Sequence, residues 1–160
     1  ISYCNIPMLK FFELNIWNTA FRPFFWFGSM AGIILIGLWL GVLKSLFPVF
    51  YMVGGIEWHS YEMVFGFTRA IVIGFLFTAV QNWTNSTILR GQNLSFLLSL
   101  WILGRFAFFL ISRISFIFFT MDIVVDILII YYLYPKLTQE NQKHNYTILV
   151  HFTIFTFFHI

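Results

Sequence analysis

Charge is what this sequence has least of. Only 9% of its 160 residues are Asp, Glu, Lys or Arg, where a soluble domain carries about 25%. Nine basic and six acidic side chains cannot cover a globule of 19.0 kDa, so a water-soluble fold is excluded. The formal net charge of +3 is scattered between apolar runs, which excludes a nucleic-acid patch. Cysteine is nearly absent. The single Cys4 excludes an internal disulfide and any C-x-x-C-H attachment of c-type haem, and it reads as incidental. There is also no P-loop, G-x-G-x-x-G, H-E-x-x-H or nucleophile elbow, so no soluble-enzyme motif announces a chemistry. No small-residue cleavage site follows the first apolar run, which is therefore read as a retained helix.

What is present is apolar bulk: 60% hydrophobic residues, 22% aromatic, 23 of them Phe, at a mean hydropathy of +0.86. The surface must face something apolar, and the lipid bilayer is the partner that fits. The predicted fold is all-α, a polytopic transmembrane helical bundle. Four complete spans are expected at Phe24–Leu43, Tyr61–Val80, Leu94–Ile111 and Phe116–Tyr134, the last closed by Pro135. A fifth begins near Tyr146 and is unfinished at Ile160. Backbone amides in lipid need internal partners, so such runs are helices. Residues 1–23 form an N-terminal cytoplasmic or interfacial segment, with a short surface helix expected from Met8, Leu9, Phe11, Phe12, Leu14 and Ile16. Residues 24–160 form the transmembrane domain. Starting at Ile1 and stopping inside an apolar run, the chain reads as the N-terminal portion of a larger bundle whose missing C-terminal helices are its partners.

Lys10, Arg22, Arg90, Lys136 and Lys143 fall on one side of these spans, Lys44 and Arg113 on the other. Five against two places the N-terminus in the cytoplasm.

Ionisable groups within spans need partners or a function. His59, Glu62 and Met63 are spaced i, i+3, i+4 at the head of the second helix and so share a face. Imidazole and thioether are ligands for haem iron and copper, with Glu62 a candidate to orient the His. The plainer alternative is an interfacial His bonded to water or head groups. Arg69 is expected to pair with Glu62 or a neighbour, with Gly66 leaving room for a helix or for the Arg69 stem. Arg105 stands before the hairpin between the third and fourth helices and Asp122 after it. A rise of ~1.5 Å per residue sets them nearly level, so an Arg105–Asp122 pair is predicted. Asp126 shares a face with Asp122 and is then either protonated or faces a cavity. A folding clamp is favoured over a proton relay. His151 and His159 are ~12 Å apart along one helix and cannot share an ion. His159 and His59 are expected in the same layer. Gly37 and Gly41 make a G-x-x-x-G, read as close helix packing.

Several ordered segments carry a resemblance: Phe21-Arg-Pro-Phe-Phe25, Trp58-His-Ser-Tyr-Glu-Met-Val-Phe-Gly-Phe67, Gly74-Phe-Leu-Phe-Thr-Ala-Val-Gln-Asn-Trp-Thr84, Leu100-Trp-Ile-Leu-Gly-Arg105, and Asn145-Tyr146 followed by a helix with His159. Together they resemble the NnrS family of bacterial inner-membrane proteins. The resemblance implies haem and copper as cofactors, a multi-pass protein of the inner membrane, nitric oxide as a partner, and a role in nitric oxide metabolism and the nitrosative stress response of denitrifying bacteria. It implies His59 and His159 as metal ligands, and Tyr61, Glu62 and Met63 beside them at the cofactor. Arg22, Asn82, Trp83 and Arg105 also fall on motif positions. Tyr61 stands where the family motif has a second His, and a phenol suits ferric haem but not Cu(I). Arg69 is a second departure, at a position expected to be small and apolar. Two rival readings stand beside this one: a transporter or channel whose polar path is lined by Arg69, Arg105, Asp122 and Asp126, and a structural or inactive truncated membrane protein.

Overall fold

The computed structural model describes residues 15–46, 55–106, 114–139 and 145–159, the side chains of 114–119 and 157–159 excepted. The expected surface helix over Met8–Leu14, together with Lys10, Arg113 and Lys143, lies outside the described residues. After a 3₁₀ turn at Asn15–Trp17, five helices follow: α1 (Phe21–Leu43), α2 (Gly55–Thr84), α3 (Gly91–Gly104), α4 (Ile114–Leu137) and α5 (Tyr146–His159). No strand occurs among the described residues. α1 and α2, of 23 and 30 residues, are long and apolar enough to cross a membrane.

The boundaries depart from the sequence reading in instructive places. α1 starts at Phe21 and takes Pro23 into its first turn, where the missing N–H has no intrahelical partner to lose. Its first free amide, on Phe21, donates to Thr78 Oγ1 of α2 at 3.2 Å. α2 starts at Gly55, so His59 lies inside the helix rather than at its head. α4 does not stop before Pro135 but runs to Leu137. Beyond the proline, the Thr138 amide and hydroxyl both donate to the Tyr134 carbonyl, at 3.1 and 2.7 Å, and Leu137 is fully buried. The lost proline bond is thus offset by capping and packing. The expected third span, Leu94–Ile111, is helical from Gly91 only to Gly104, with Arg105 and Phe106 in a turn and residues 107–113 outside the described residues.

α1 and α2 run antiparallel. Pairs step in opposite directions along them: Phe21 with Thr78, Phe24 and Phe25 with Gly74, Gly28 with Ala70, Gly32 with Phe67, Trp39 with His59. A Cβ on Gly28 would lie 3.1 Å from that of Ala70, so the seam depends on small residues. Gly37, expected in such a seam, has nothing within 4 Å of the Cβ position. The packing pair on this face is Gly28 and Gly32, one turn apart.

α3 packs on α4, and α4 on α5 and α2. Phe24, Ile73, Phe77, Leu94, Leu97, Trp101, Val125, Ile129 and Leu133 form one buried core. Large side chains such as Trp26, Ile33, Leu40 and Leu43 stay exposed on α1.

Candidate functional site

The site grows from an irregularity in α2. From Glu62 to Thr68 the helix is π-helical: the Arg69 amide reaches the Val64 carbonyl, five residues back. Such turns are rare and occur frequently at functional sites. The segment begins and ends beside the two buried charges of α2, Glu62 and Arg69. Midway, Gly66 offers its carbonyl to another helix, and the Trp101 indole of α3 donates to it at 3.1 Å.

Around this segment five charged side chains and the phenol of Tyr61 meet. Asp122 of α4 is central. Its Oδ1 takes Arg69 Nη2, and its Oδ2 takes both Arg105 Nη2 and the Tyr61 hydroxyl, the latter at 2.9 Å. Arg69 Nη1 donates to the Asp122 carbonyl at 3.1 Å and to Asp126 Oδ1 at 3.2 Å. Arg105 Nη1 donates to Glu62 Oε2 at 2.7 Å, and its Nε to the Trp101 carbonyl at 3.3 Å. Glu62, Arg69, Asp122 and Asp126 are all buried. Charges removed from water are tolerated only when paired and hydrogen-bonded, and this network supplies that pairing.

Two glycines make the room. A Cβ on Gly66 would meet Glu62 Oε2 at 2.5 Å and Arg105 Nη1 at 2.7 Å; one on Gly104 would meet Asp122 Oδ1 at 2.5 Å. The space beside Gly66 is filled by Arg105 from α3 rather than by the Arg69 stem.

The residues singled out from the sequence thus divide. Arg105, Asp122, Asp126 and Arg69 share one network. Arg69 pairs with the α4 carboxylates and not with Glu62, and Asp126 is ion-paired. Glu62 turns to Arg105 while the imidazole of His59 stacks on Trp39, ring centroids 4.4 Å apart and planes within 9°. The expectation that Glu62 orients His59 is therefore not met; Trp39 does so. His59 is half-buried, and its Nδ1 is sealed from solvent with no hydrogen-bond partner among the described residues. Met63 is half-buried in the π segment. His151 is exposed, its Nδ1 2.7 Å from the Thr147 carbonyl. His159 closes α5, with its side chain outside the described residues. Trp39, Trp101 and Gly104 are contributors that sequence reasoning missed; an aromatic within an apolar helix gives no sign of its partner.

As a metal site the arrangement offers one donor that fits. His59 Nδ1 is unsatisfied, whereas the Tyr61 hydroxyl is bonded to a carboxylate, and no three His, Cys, Asp or Glu converge as a metal-binding group among the described residues.

The family model described as NnrS protein matches residues 15–160. No curated protein and no solved structure gives a match. The match takes in all five helices and the whole charge network, and on it the chain belongs to the NnrS family.

Proposed function

We propose that this chain is a multi-pass protein of the bacterial inner membrane that acts in nitric oxide metabolism and the nitrosative stress response through haem and copper. The proposed topology has four spans and the start of a fifth, with the N-terminus in the cytoplasm. Family membership supports this reading, and so does the length of α1 and α2. The observation that carries its chemistry is the unsatisfied, buried Nδ1 of His59. A buried polar atom left without a partner costs about 1–3 kcal/mol, a cost that ligation, like a hydrogen bond, removes.

In this reading His59 holds the group, with His159 the second candidate ligand and Met63 close by in sequence. Bound haem or copper supplies a redox-active ion able to take up a small gas. The protein's own residues do the rest. Trp39 fixes the plane of the His59 ring. Arg105 balances Glu62 and Asp122, and Tyr61 spends its hydroxyl on Asp122, so it is a brace for the charge network and not a ligand. The test is the visible spectrum of the detergent-purified protein, oxidised and reduced, beside His59→Ala. A Soret band that weakens or shifts in the variant supports the reading. A folded, colourless and metal-free protein overturns it.

A transport reading draws on a separate observation: three carboxylates and two guanidiniums packed together between apolar helices. Ion or solute flux through metal-free protein in liposomes would favour it.

A further inference from the structure

A groove of about 600 Å³ runs along the exposed face of α1. Arg22, Trp26, Ser29 and Ile33 line it at i, i+4, i+7 and i+11, so they lie on one side of the helix. From Arg22 to Ile33 is ~16 Å along the axis. Half of a bilayer's hydrocarbon core is ~15 Å. The groove therefore has the depth of one leaflet.

Its polar groups are graded with depth, and each of them can donate. Arg22 stands in the first turn of α1, exposed to its surroundings. Its Nη1 donates to the Asn15 carbonyl at 3.0 Å, which holds the guanidinium in place. No acid pairs with it among the described residues, and further N–H donors remain on the fork. The Trp26 indole, a donor only, follows ~6 Å deeper, and the Ser29 hydroxyl ~10 Å deeper. Below Ser29 the lining is apolar, with Met30 and Ile33.

These features discriminate between occupants. A second copy of this chain, docked by the same face in the same membrane orientation, would set Arg22 against Arg22, and α1 holds no acid to relieve them. A free phosphate would suit Arg22 and leave the apolar stripe bare. A phospholipid matches the whole gradient: a phosphate at Arg22, ester carbonyls that only accept at the level of Trp26 and Ser29, and an acyl chain along Met30 and Ile33. A zwitterionic head group brings its own cation to the phosphate, whereas an anionic one leaves that charge to Arg22. We propose that this face of α1 is a binding site for one anionic phospholipid of the phosphatidylglycerol class, with its phosphate on Arg22 and its chain in the groove. The proposal rests on α1 spanning the membrane and not on any metal at His59.

The test is native mass spectrometry of the full chain, released from detergent, titrated with phosphatidylglycerol and with phosphatidylcholine of the same acyl chains. The anionic lipid binds saturably and about fivefold more tightly than the zwitterionic one, the effect of one interfacial cation. Arg22→Gln removes that preference and Arg22→Lys keeps it. Lys44→Gln, which removes the exposed cation at the other end of α1, leaves it unchanged. Equal affinity for the two lipids in a chain whose circular dichroism is helical overturns the proposal. So does an unchanged preference in Arg22→Gln, displacement of the lipid by inorganic phosphate, or a dimer whose formation excludes the lipid. The titration needs no haem or copper, so its failure leaves the spectroscopic test of His59 standing. A chain recovered in the soluble fraction without detergent would instead overturn the membrane reading and this proposal together.

Discussion

α1 and α2 lie side by side, antiparallel, and their most apolar stretches have the same mean hydropathy. They use it differently. Of α1's most apolar stretch 28% is buried, of α2's 44%. α1 carries no charge between Arg22 and Lys44, and leaves Trp26, Ile33 and Leu40 uncovered. α2 buries Glu62 and Arg69 and bends its hydrogen-bond ladder between them. Average hydropathy therefore says nothing about what an apolar helix holds. α2 carries buried charge because α3 and α4 bring its counter-charges, and α1 has no such neighbours. Among the described helices, α1 lies on the outside and α2 in the interior.

The most direct way to break that distinction is to remove the shared counter-charge. Asp122→Ala leaves Arg69 and Arg105 each short of a partner, and Tyr61 without its acceptor. Truncating one member of a buried ion pair costs about 3–5 kcal/mol. The protein should fail to accumulate, or should unfold well below the wild type in a detergent melt. A wild-type melt for Asp122→Ala would mean that the network contributes little to the fold.

Gly104→Ala comes next. The added methyl would press on Asp122, which is short, held on both oxygens and unable to swing away. Overpacking of this kind costs about 1–3 kcal/mol, read as a lower melting temperature. Gly66→Ala should cost less, because the atoms it meets are the ends of Glu62 and Arg105, which are longer side chains. A larger loss at Gly66 than at Gly104 would shift the rigid centre of the network from Asp122 to the π segment.

Tyr61→Phe is smaller again. It deletes one donor to a carboxylate that keeps two guanidiniums, and a single hydrogen bond is worth about 1 kcal/mol. A modest fall in the melt with the spectrum unchanged fits a brace. A lost or shifted Soret band would make the phenol a ligand after all.

The sequence made the helices legible and left their ends less so. Apolar runs of spanning length marked four and an unfinished run the fifth, but proline was read as a stop at Pro135, where capping by Thr138 carries the helix onward. The hairpin arithmetic paired Arg105 with Asp122 and the structure pairs them, although α3 ends at Gly104 rather than running on toward Ile111. Glu62 was harder. Its partner depends on α3 packing beside α2, a long-range fact that no local spacing encodes. The π segment is less legible still: a change of register by one residue leaves no mark in composition. For the same reason His59 and Glu62, correctly placed near each other, could not be seen to serve Trp39 and Arg105 separately.

The smallest expected effect has the opposite sign. Gly37 lies in α1 with nothing within 4 Å of where a Cβ would stand. Glycine inside a helix costs roughly 0.5–1 kcal/mol relative to alanine. Gly37→Ala should therefore raise the melting temperature slightly, while Gly28→Ala, 3.1 Å from the Ala70 methyl, should lower it. The pair separates the two sides of one helix, the open face that needs no glycine and the seam that does. If Gly37→Ala instead destabilised the protein as Gly28→Ala does, the open face of α1 would be a packed interface in the membrane, and α1 would belong with α2 in the interior.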